Sequence, residues 1–194
     1  MTANQLKGMA TGAIFMSIFG ALWLLFGMQA LDVLDTGRGV LTISAALLML
    51  GSAAWVMRAA RRFPEEPTDP AVGRLFGWIN AVQWGACFAY YWVLAWLHRE
   101  EYFVTGIALV VGLHFLPLAR LFRRPASYAT GGIMVCWTLA ALAYAPAKYL
   151  QGVTAIGAGA ILWQATATAL AVAIAEARKP VNPSAPLSSP APAA

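Results

Sequence analysis

Charge is scarce in this chain, and cysteine is scarcer. Of 194 residues only 11% are Asp, Glu, Lys or Arg, and two are cysteine. A soluble domain averages about 25% charged and 45–50% apolar residues; here the apolar share is 60%. So little charge cannot cover a protein surface against water. With Cys87 and Cys136 alone, a disulfide framework and a four-thiolate zinc site are excluded, and no CxxC pair occurs. The two, inside the third and fifth uncharged runs, read as buried free thiols acting as small apolar residues. HExxH, GxSxG and P-loop sequences are also missing. No enzyme class is indicated, and the chain reads as non-enzymatic.

Long uncharged runs are what the sequence has instead. Six stretches, roughly 8–30, 39–57, 75–97, 102–119, 127–147 and 152–175, contain no Asp, Glu, Lys or Arg. Each is about 20 residues, and at 1.5 Å per residue a helix of that length crosses a hydrocarbon core of about 30 Å. No alternation of period two recurs at the roughly 10-residue spacing that a membrane β-barrel needs. A helix satisfies its backbone polar groups internally, as lipid demands. The expectation is an all-α bundle of six transmembrane helices over residues 1–178. The first run is too long for the roughly 7–15-residue core of a signal peptide, and the nearest candidate cleavage site places bulky Met28 where a small residue is wanted. It is read as a retained span.

The flanks sort by charge. Lys7, Arg58, Arg61, Arg62, Arg74, Arg120, Arg123, Arg124, Arg178 and Lys179 fall on one set of flanks, ten in all, against Arg38, Arg99 and Lys148 on the other. With six spans the two sets alternate without exception, and the positive-inside rule then puts both termini in the cytoplasm. Topology accounts for the isoelectric point near 9.6. The charge is not gathered on a soluble domain, so no nucleic-acid partner is implied. Arg58/Arg61/Arg62 and Arg120/Arg123/Arg124 face the inner leaflet, where each contributes about 1 kcal/mol against anionic lipid. Trp92, Trp96, Tyr102, Tyr144 and Tyr149 lie near the outer ends and Phe63, Phe122 and Tyr128 near the inner ends, as interfacial aromatic belts do. "FPEEPTDP" reads as a stiff extended connector, and residues 179–194, rich in Pro and Ala, as a disordered cytoplasmic tail.

Uncharged spans argue against proton pumps, ion-coupled carriers and voltage sensors, which depend on ionisable residues in the membrane. A few polar side chains remain. Counted from the cytoplasmic ends, Gln83 lies about 13 Å deep, His114 about 12 Å, Cys136 about 13 Å and Gln164 about 18 Å. Asn80, Gln83, Cys87 and Tyr90 or Tyr91 recur at three- and four-residue spacing, on one helix face that should point into the bundle. Asn80, Gln83, His114 and Gln164 thus form a candidate intramembrane polar site, either interhelical glue at about 0.6 kcal/mol per contact or the lining of a solute site. Pro117 cannot bond the carbonyl of Leu113, so a kink is expected at His114. His98 and His114 differ in depth by roughly 15–20 Å, too far for one haem iron; no cofactor or metal is implied. Close helix packing is expected at Gly8–Gly12, Gly73–Gly77 and Ala155–Gly159, with a homo-oligomer seam as the alternative use of these pairs. "VQWG" in the third run and "LWQA" in the sixth are too short to establish an inverted repeat.

The stretch "IALVVGLHFLPLARLFRRPASYATGG" resembles a segment of small multi-pass bacterial membrane proteins, most clearly over residues 103–133 and more loosely around "GAGAILW". The resemblance implies a bacterial inner-membrane protein of about six helices and carries no activity with it. Two functional classes follow from the residues. One is a non-enzymatic membrane module, a sensor or partner subunit; the other is a passive channel or facilitator for a small neutral or weakly basic solute. An intramembrane enzyme comes third, lacking a nucleophile–base pair or metal set.

Overall fold

A computed structural model describes residues 1–65, 67 and 69–179. Among the described residues every regular element is helical: α1 Ala3–Ala30, α2 Thr36–Ala59, α3 Pro70–Leu97, α4 Phe103–Leu121, α5 Pro125–Tyr144 and α6 Leu150–Ala177. Three single 3₁₀ turns, Ala60–Arg62, Glu100–Tyr102 and Ala147–Tyr149, join or extend them. The expected tail lies outside the described residues apart from Lys179, which pairs with Glu176 at 2.6 Å.

The helices reach beyond the uncharged runs because polar residues cap them. Thr2 and Gln5 form a reciprocal capping box at α1. Asp35 accepts from the Arg38 amide at 2.8 Å, and Asp69 from the Ala71 amide at 2.8 Å ahead of Pro70. Asp32, His98 and Arg123 follow α1, α3 and α4 in the left-handed conformation usually given to glycine. No glycine among the described residues has a positive φ. Glycine serves packing here instead.

Among the described residues five helical stretches are long and apolar enough to cross a membrane: Ala3–Ala30, Thr36–Arg62, Glu100–Leu121, Pro125–Tyr144 and Ala147–Ala177. This differs from the six expected. α3 has the length, 28 residues, but its four tryptophans, two tyrosines, Asn80 and Gln83 lower its mean hydropathy. It nevertheless runs antiparallel along α4. Phe76 packs on Phe122 with ring centroids 5.8 Å apart, and Tyr91 on Phe103 at 5.7 Å, one pair near each end.

α1 and α6 form the antiparallel centre, with α2 against both, α5 and α4 against α6, and α3 chiefly against α4. Small residues fill this centre. Leu6, Met134 and Val56 are the only large apolar side chains that are completely enclosed among the described residues; the other enclosed ones are Thr138, Thr154, Thr166, Ser17 and alanines. Large apolar residues point outward, with Leu48 73%, Trp78 71% and Trp96 80% exposed. A soluble protein rarely exposes apolar patches beyond a few hundred Å². Small inside and large outside is the packing of helices surrounded by hydrocarbon.

Candidate functional site

Equal depth does not bring the four polar residues together. Gln164 is exposed on the outer side of α6, where its side-chain amide donates to Thr168 Oγ1 at 3.2 Å and the Thr168 hydroxyl donates to the Gln164 backbone carbonyl at 2.9 Å. The reason is geometric. α6 turns Gly152, Ala155 and Gly159 toward α1, and at 100° per residue Gln164 lies about 140° around the helix from Gly159. Asn80, Gln83, Cys87 and Tyr90 are all half-buried on the α4-facing side of α3, as the spacing predicts, whereas Tyr91 is exposed. Asn80 donates to the Phe76 carbonyl of its own helix at 2.8 Å and so does not glue helices.

Gln83 and His114 are the pair that stays close in level. The ring contacts at 76/122 and 91/103 put residue 83 of α3 opposite residues 113 and 114 of α4. Both side chains are half-buried, and His114 meets the Phe115 ring edge-on with centroids 6.4 Å apart. Neither makes a hydrogen bond to another described residue, and among the described residues no enclosed side-chain polar atom is left unpartnered. α4 continues through Pro117 as one helix from Phe103 to Leu121. Among the described residues no three His, Cys, Asp or Glu side chains converge as a metal site.

The small-residue pairs expected at Gly8–Gly12 and Gly73–Gly77 do not carry packing: a Cβ at Gly8, Gly73 or Gly77 would meet nothing within 4 Å, and at Gly12 only Met16 at 4.0 Å. The close approach occurs at seven-residue spacing. A Cβ on Gly159 would stand 2.8 Å from the Gly20 carbonyl, and one on Gly27 3.0 Å from the Gly152 carbonyl. Gly20/Gly27 of α1 thus interlock with Gly152/Gly159 of α6. Gly131 and Gly112 do the same for α5 and α4, with 2.6 Å to the Gly112 carbonyl.

A second device was not foreseen from the sequence. Three rings each lie over a glycine of the next helix and donate their polar hydrogen to a carbonyl there. Trp163 covers Gly20 and donates to Ser17 O at 3.1 Å; Trp137 covers Gly157 and donates to Val153 O at 3.2 Å; Tyr90 covers Gly106 and donates to Tyr102 O at 3.0 Å. A helix carbonyl already accepts one bond, and its second lone pair takes the ring. The missing Cβ admits the aromatic face, so one contact joins apolar area to a polar tether. Between α4 and α6 the buried hydroxyls of Thr105 and Thr154 meet at 3.4 Å.

Connectors close the two ends. At one, Ala3 N donates to Pro64 O at 3.0 Å, Lys7 pairs with Glu65, and Arg124 reaches Gln5 O at 3.3 Å. Lys7 holds the Glu65 carboxyl below its ordinary pKa. At the other, Gln151 donates to Glu100 O at 3.3 Å. Among the described residues a lateral groove of about 520 Å³ lies between α1 and the α3–α4 hairpin and another of about 590 Å³ runs along α5; Asn80, Gln83, His114 and Gln164 line neither of these. No family model, curated protein or solved structure matches the chain.

Proposed function

We propose that this chain is a non-enzymatic integral membrane module of the bacterial inner membrane, six spans with both termini in the cytoplasm, acting as a sensor or partner subunit. The observation that carries the reading is the outward placement of Gln164, away from Gln83 and His114, while the α1–α6 centre is closed by backbone-to-backbone contact. A solute path needs polar groups that share a lumen, and these do not.

Support for the sixth span comes from α3 and α4. A helix in antiparallel contact with α4 at both ends, through Phe76–Phe122 and Tyr91–Phe103, occupies the same thickness as a helix apolar enough to cross. The ten-to-three division of Lys and Arg between the ends supports the orientation. The two arginine clusters at 58–62 and 120–124 then lie against anionic headgroups of the cytoplasmic leaflet.

Proteoliposomes test the module against the facilitator. Swelling rates with urea, glycerol and ammonia should match protein-free vesicles and should not change with His114→Ala or Gln83→Ala. Faster swelling that His114→Ala abolishes would establish a solute path and overturn the module reading.

A further inference from the structure

The groove between α1 and the α3–α4 hairpin is apolar along its length and acidic at one end. Its floor is formed by Leu94 and Val104, each 7% exposed, and its walls by Phe19, Leu22, Phe26 and Phe103. Gly27 meets Gly152 across the antiparallel seam, so Phe26 lies about 3 Å from the level of Gln151, and Phe19 lies about 10 Å deeper than Phe26 at 1.5 Å per residue. The volume of about 520 Å³ falls within the roughly 300–1,000 Å³ typical of small-molecule sites.

Beside the indole of Trp23 and the phenol of Tyr91 in its walls, the groove is lined by one carboxylate residue and one amide residue, Glu100 and Gln151, both at the shallow end. Gln151 donates one amide hydrogen to the Glu100 backbone carbonyl at 3.3 Å, leaving its side-chain oxygen to accept. Arg99 is engaged by Glu101 at 3.3 Å and lies over the Tyr102 ring, while Lys148 lies over the Tyr149 ring. Among the described residues no cation pairs with the Glu100 carboxylate. A groove in this setting offers an acyl chain a fixed aromatic wall, and its mouth offers an ammonium group a carboxylate and an amide oxygen. We infer that it holds one aminophospholipid, phosphatidylethanolamine, with the ammonium on Glu100 and one acyl chain along Phe26 to Phe19. The inference rests on the helices crossing a bilayer.

Native mass spectrometry of the full chain in detergent, with phosphatidylethanolamine or phosphatidylglycerol of identical acyl chains added, tests it. One phosphatidylethanolamine should be retained in preference to phosphatidylglycerol. Glu100→Gln should weaken that retention roughly tenfold, the loss of one charge-assisted hydrogen bond. Leu22→Trp, at a position 56% exposed and lining the groove, should abolish retention of both lipids without disturbing the fold. Equal retention of the two lipids, or unchanged retention in either variant, overturns the inference. The membrane reading fails separately, by the chain staying dispersed in buffer without detergent.

Discussion

Substituting Gly159 by alanine measures how closely α1 and α6 are held. The new Cβ would stand 2.8 Å from the Gly20 carbonyl oxygen and 2.9 Å from the Leu24 amide nitrogen. Both are backbone atoms of a helix and cannot swing aside, so the helices must part by roughly half an ångström to restore ordinary contact distances, at about 1–3 kcal/mol for overpacking. Alanine also gains up to about 1 kcal/mol of helix propensity over glycine, which would mask part of the cost. Gly85→Ala is the matched control: it lies inside α3, and its Cβ would meet nothing within 4 Å. The difference between the two variants cancels propensity and isolates the overpacking. Unfolding in detergent, followed by the fluorescence of Trp163 over Gly20, should show Gly159→Ala less stable than Gly85→Ala by about 1–3 kcal/mol. The pair Gly20→Ala/Gly159→Ala should cost less than the sum, since one separation accommodates both methyls. A Gly159→Ala variant as stable as Gly85→Ala would refute the close seam.

Two further outcomes are expected. Trp163→Phe and Trp137→Phe each remove one tether to a neighbouring carbonyl and should each destabilise by about 0.5–1.5 kcal/mol, whereas Trp78→Phe on the exposed face of α3 should change little; equal effects at the three sites would contradict the tether. Glu65 has a lowered pKa in the fold because Lys7 pairs with it, so the tie is complete above the ordinary carboxylate pKa of about 4.3 and is lost as pH falls through the lower folded value. The protection of the Ala3 amide, its exchange rate measured against the intrinsic rate at each pH, should therefore fall below about pH 4, and Glu65→Gln should lack that protection at neutral pH as well; protection independent of pH in the unsubstituted chain would remove the tie.

The helices were legible because a missing charge over about 20 residues is a coarse signal that no local detail can hide. The Asn80, Gln83, Cys87 and Tyr90 face was legible for a similar reason, a spacing that repeats along α3. Depth, however, fixes only one coordinate of a side chain. Gln164 shares a level with the others, but the direction in which it points depends on which face of α6 is small enough to meet α1. Gly152 and Gly159 carried that information at a spacing of seven, as did Gly20 and Gly27; the four-residue pairs Gly8–Gly12 and Gly73–Gly77 were the misleading ones. α3 was ambiguous to hydropathy alone, because tryptophan and tyrosine weaken an average while favouring the membrane interface. The ring-to-carbonyl tethers leave no pattern along the chain, since each depends on which turn of another helix lies beneath the ring.

Whether α3 crosses the membrane is most directly measured by labelling single cysteines at its two ends. In a chain lacking Cys87 and Cys136, Pro67→Cys and Glu101→Cys place exposed thiols just before α3 and just before α4. In sealed vesicles of known orientation, an impermeant maleimide should reach the thiol at 67 only from the cytoplasmic side and the thiol at 101 only from the opposite side. Labelling of both from one side would contradict the six-span bundle.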